Sequence, residues 1–136
     1  MDAYEAADHV LPLDGPYQPD QVVTAARLIG ELVRRLNRAT VTGHALPSPG
    51  DLYGLLGGIT EAVAGLGQLL AQLANRADEF AEHPRLTHAH HPAEAWFAAT
   101  QAANLLQRAN TARGDLYQHL ADAWARTGSL GLQTQD

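Results

Sequence analysis

Apolar residues recur along this chain in three long runs at steps of three and four, the period of an α-helix, and not in the two-residue alternation of a strand. In the first run Val22, Ala25, Ile29, Leu32, Val33 and Leu36 make one stripe. Pro19 suits a first helical position and Gly43 follows the run, so the pattern predicts a helix over about 19–41.

The second run opens with "SPGDL". Ser48 is an N-cap, Pro49 takes the first helical position, and Asp51 stands where a capping box places its acid. Leu52, Ile59, Leu66, Leu73 and Phe80 then repeat every seven residues, with Leu55, Leu56, Ala62, Val63, Leu69, Leu70 and Ala77 between them. This reads as a bundle seam on a helix over 49–82, about 50 Å long at 1.5 Å per residue. Gly54, Gly57, Gly58, Gly65 and Gly67 lie in its first half, each costing about 1 kcal/mol relative to Ala. Gly58 and Gly65 flank the Leu repeat, and close approach of a neighbouring helix explains them better than a hinge, since the repeat continues unbroken through them.

Pro92 opens the third run and Gly128 closes it, predicting a helix over 92–127. Ala95, Ala98, Ala102, Leu105, Ala109, Ala112, Leu116 and Ala123 share a face, opposite Gln101, Asn104, Arg108, Thr111, Asp115, Gln118 and Asp122. A small-residue face set against a Leu seam predicts an antiparallel hairpin. The expected fold is therefore all-α: an antiparallel three-helix bundle over 19–128, dominated by this hairpin. Residues 1–18, with Pro12 and Pro16 and no Lys or Arg, read as an extended acidic arm, and 129–136 as a disordered tail.

Composition agrees with packed helices. Alanine occurs 25 times among 136 residues against two Phe and two Trp, so helices must approach closely where they pack. All nine basic residues are Arg, a bias that fits a bacterial genome of high GC content. No cysteine is present, which removes disulfides, thiolate metal sites and cysteine nucleophiles together. An acidic N-terminus unlike a signal peptide, and no run read as apolar enough to cross a bilayer, lead to the expectation of a cytoplasmic protein without a membrane partner.

The first helix is shorter than the other two, so it covers the hairpin along only part of its length. The uncovered far end, comprising Leu66, Leu70, Leu73, Ala77, Phe80, Trp96 and Ala99, is the expected interface, with a homodimer the first partner and another helical protein the second.

Candidate chemistry is sparse. His83, His88, His90 and His91 could hold zinc or another transition metal, but their spacing follows no rigid ligand motif, and no cofactor is expected. Arg27, Arg34, Arg35 and Arg38 could meet phosphates. Three of them sit where cations complement the helix dipole, Glu31 is within pairing distance along the helix, and the net charge of -6 opposes a polyanion, so nucleic acid is not the expected partner. Asp78, Glu79 and Glu82 supply half of the paired carboxylate arrangement of helical pyrophosphohydrolases, and the second half is absent. With no Glu-x-x-His pair, nucleophile elbow or phosphate-binding loop, the chain reads as a non-catalytic interaction module.

Overall fold

The structure, a computed structural model, describes residues 1–134 and is all-helical. Four α-helices follow one another: α1 (Ala3–Val10), α2 (Pro19–Ala39), α3 (Pro49–Ala81) and α4 (Ala95–Thr127), with 3-10 turns at Gly43–Ala45 and Pro92–Glu94. The chain divides into two compact units, Met1–Pro47 and Ser48 onward.

In the first unit the expected extended arm is corrected: its first half is helical. Asp2 caps α1, its Oδ1 accepting from Glu5 N at 2.8 Å, while Glu5 Oε2 accepts from Asp2 N at 3.2 Å. This reciprocal pair satisfies two amide groups that would otherwise face water, enough to start a short helix. Pro12 prevents continuation past Leu11. Ala3, Ala6, Ala7, Val10 and Leu11 then face Ala25, Leu28, Ile29 and Leu32 of α2 across an apolar cleft of about 640 Å³. On α2, Glu31 accepts from both Arg34 and Arg35, at 2.7 and 3.0 Å. The α2 stripe is open, with Val22, Ile29, Leu32, Val33 and Leu36 all exposed.

In the second unit α3 packs antiparallel on α4. Ser48 caps α3 as its sequence indicates: Ser48 Oγ accepts from Asp51 N at 3.3 Å and Asp51 Oδ2 accepts from Ser48 N at 3.1 Å. The inward positions of α3 are Leu56, Thr60, Val63, Gly67, Leu70, Ala74, Ala77 and Ala81, and those of α4 are Ala103, Leu106, Asn110, Arg113, Tyr117, Leu120, Trp124 and Thr127, a three-four alternation on each helix, with the buried Gly57 beside it on α3. The most enclosed are small: Thr60 is 2% exposed, Ala74 3% and Ala103 0%. Thr60 satisfies its buried hydroxyl by donating to Leu56 O at 2.7 Å.

This register corrects the expected pairing. The seven-residue Leu repeat does not point at α4: it stands one residue before the Thr60, Gly67, Ala74, Ala81 row, and on α4 the Ala98 to Ala123 face likewise stands one residue before the inward row. The approach of the two backbones explains the choice. A Cβ on Gly57 would lie 3.0 Å from the Trp124 indole, and one on Gly67 would lie 3.0 Å from the Arg113 guanidinium, whereas at Gly58 and Gly65 nothing lies within 4 Å. A side chain at 57 would thus press on the indole and one at 67 on the Arg113 guanidinium, whereas Gly58 and Gly65, the two positions expected from the Leu repeat, face open space.

A second correction concerns α3 itself. One stretch of it is long and apolar enough to cross a membrane by length and composition alone, contrary to the sequence reading. After α4, residues 130–134 have no regular secondary structure, and the last two residues of the expected tail, 135 and 136, lie outside the described residues.

Candidate functional site

Two helices with the same hand, laid antiparallel, bring the positions that precede their inward rows to the same side of the pair. The Leu repeat of α3 and the Ala face of α4 therefore share one face of the hairpin. Leu69, Leu73 and Phe80 on α3 and Leu105 and Leu116 on α4 are exposed there. No charged residue occupies the Leu52, Ile59, Leu66, Leu73, Phe80 row, and α4 supplies Ala98 and Ala102 before Leu105 and Ala109 and Ala112 between Leu105 and Leu116. The result is a broad, shallow apolar surface with large side chains along one edge and small ones along the other.

The expected interface residues fall into two groups. Leu70, Ala77 and Ala99 are half-buried, and Leu70 and Ala77 belong to the inward row, so much of their surface is already used within the hairpin. Leu66 is half-buried on the open face. Leu73, Phe80 and Trp96 remain 45%, 42% and 56% exposed. The Arg76 guanidinium lies 4.2 Å above the Phe80 ring centroid while pairing with Glu79 at 2.6 Å, placing a cation over one side of the ring.

The histidines of the loop do not converge as one ligand set. His88 Nδ1 accepts from His90 N at 3.2 Å and from His91 N at 2.9 Å, so its ring closes the local turn. The His90 and His91 rings lie 6.2 and 6.0 Å from it. His83 Nδ1 accepts from Arg85 N at 3.1 Å. Among the described residues no three His, Asp or Glu side chains are placed to share one ion.

Of the candidate phosphate-binding arginines, Arg34 and Arg35 are both engaged with Glu31. The hydrogen bond from Arg34, followed by that from Arg35, holds the Glu31 carboxyl below the usual glutamate range, and the same bond raises the Arg34 guanidinium. Arg27 and Arg38 form no ion pair among the described residues.

The polar part of the α3–α4 contact escapes a reading by hydrophobic period. Asn110 Nδ2 donates to Gly67 O at 3.0 Å, Arg113 Nε donates to Asn110 Oδ1 at 2.7 Å, and Arg113 Nη1 donates to Val63 O at 3.4 Å. The two side chains, three residues apart on α4, tie its middle to the backbone of α3. The available signal is the coincidence of Asn110 and Arg113 with the row of Leu106, Tyr117, Leu120 and Trp124.

Compared with known protein families, with characterised proteins and with solved structures, this chain has no significant match.

Proposed function

We propose that this chain is a non-catalytic helical interaction module that self-associates through the apolar face of its α3–α4 hairpin. The observation that carries the reading is the unused Leu repeat: the hairpin closes through small residues and leaves Leu69, Leu73 and Phe80 in water. Burying a large apolar side chain is worth about 1.5–3 kcal/mol, so several such residues in a row are a strong drive to associate. In this reading the open stripe of α2 is a further apolar face that gains from burial. The far end, from Leu66 to Phe80 with Trp96, pairs with the same end of a second copy about a two-fold axis.

The test is molar mass by light scattering over a concentration series, with Leu73→Glu/Phe80→Glu as the variant. The expected result is twice the 14.6 kDa chain mass for the wild type and a single chain mass for the variant, with helical circular dichroism retained. A monomeric wild type, or a variant of unchanged mass, overturns the proposed interface.

A further inference from the structure

The positions that follow the inward rows lie on the opposite face of the hairpin, which is polar and holds an open recess of about 320 Å³. Arg113 brings its guanidinium to this recess, beside the amides of Asn75, Gln107 and Asn110 and the hydroxyl of Thr111, with Ala74 as an apolar wall. No Asp or Glu lines it.

Three features of Arg113 matter. Its guanidinium is partly buried, and among the described residues no carboxylate lies within 4.0 Å of it to balance its charge. Asn110 Oδ1 and Val63 O engage two of its five N–H donors, fixing the plane of the fork and leaving other donors for a ligand. Its seat is built by glycine, since a side chain at Gly67 would stand 3.0 Å from Cζ and Nη2. Among the described residues the side-chain amides of Asn75 and Gln107 take no protein hydrogen bond, so donors stand ready on both helices.

The geometry points to a binding site for a small organic carboxylate carrying one negative charge. A planar, oriented guanidinium matches a carboxylate, and a cation drawn partly out of water gains more from an anion than one fully solvated. One cation balances one charge. A phosphate dianion would leave a charge uncompensated on a chain whose net charge is already -6. The recess exceeds a bare carboxylate in size, with room for a small body against Ala74. The site faces away from the apolar seam and does not rest on the self-association reading.

The experiment is an NMR titration of the 15N-labelled full chain with sodium acetate, with sodium phosphate and sodium chloride run in parallel at matched ionic strength. Acetate is expected to shift the Arg113 Nε–H and the Asn75 and Gln107 side-chain amides along a saturating curve, with phosphate and chloride weaker. Asn75 and Gln107 are exposed and outside the packing rows, so Asn75→Ala/Gln107→Ala keeps the fold and is expected to weaken acetate binding by about fivefold or more, the worth of a hydrogen bond or two. Shifts that never saturate, equal curves for all three anions, or a double variant that binds acetate like the wild type would overturn the site.

Discussion

Gly57 and Trp124 are held so close that a single methyl group on the glycine would press on the indole: a Cβ built on Gly57 meets indole Cε2 and Cζ2 at 3.0 Å. Around this contact the Tyr53 ring lies tilted at 5.6 Å from that of Trp124, and among the described residues the buried indole Nε1 has no hydrogen-bond partner. Leaving that donor unpaired costs on the order of 1–3 kcal/mol, a cost that the burial of the two aromatic rings against the α3 backbone must offset.

This contact separates two adjacent glycines by experiment. Gly58→Ala places its methyl in open space and gains helix propensity, so it is expected to stabilise the chain by about 0.5–1 kcal/mol. Gly57→Ala gains the same propensity but pushes on the indole, and overpacking of this kind costs about 1–3 kcal/mol, for a net loss. Thermal unfolding followed by circular dichroism should show Tm rising for the first variant and falling for the second. Equal shifts would mean that Trp124 is not seated against Gly57.

At the other end of the chain, α1 is too short to persist on propensity alone, and its capping box is the local element that holds its start. Asp2→Ala removes the acceptor for Glu5 N and should destabilise α1 by about 1 kcal/mol. The readout is a loss of helical Cα chemical shifts over residues 3–10, while shifts of α3 and α4 stay unchanged. Persistence of α1 shifts in the variant would assign its stability to the apolar contact with α2.

Glu31 gives a pH dependence of definite sign. Because Arg34 and Arg35 hold its carboxyl below the ordinary value, the contribution of these pairs to α2 is present at pH values above the ordinary glutamate titration and is lost as pH falls through the depressed value. A carboxyl 13C titration should place the Glu31 midpoint below the ordinary glutamate value. Arg34→Gln should move the Glu31 midpoint upward. A midpoint unmoved by the substitution would show that the pair seen here does not persist in solution.

How much of this was legible in the sequence depended on the range of the interaction concerned. The start of α3 at Ser48 and Pro49 was readable because a capping box joins residues three apart. The same logic would have found α1 from Asp2 and Glu5, had the prolines that follow not drawn the whole segment toward an extended reading. The candidate interface was legible in part: Leu73, Phe80 and Trp96 were identified and are exposed, whereas Leu70 and Ala77 proved to be largely engaged within the hairpin. The Asn110 and Arg113 pair was missed because hydrophobic period counts a polar residue as outward, yet a side chain that bonds a facing backbone carbonyl can point inward at little cost.

The sequence by itself determined the helices, their caps and their approximate ends, since period, propensity and capping all act within one or two turns of chain. Tertiary structure alone decided which stripe of each long helix turned inward. Two candidate stripes lie one residue apart on α3, and hydrophobicity favours the one bearing leucine. The choice went to Thr60, Gly67, Ala74 and Ala81 because helix packing rewards the fit of two surfaces at once, and small residues on this side seat the facing side chains closely, Gly57 against Trp124 and Gly67 against Arg113.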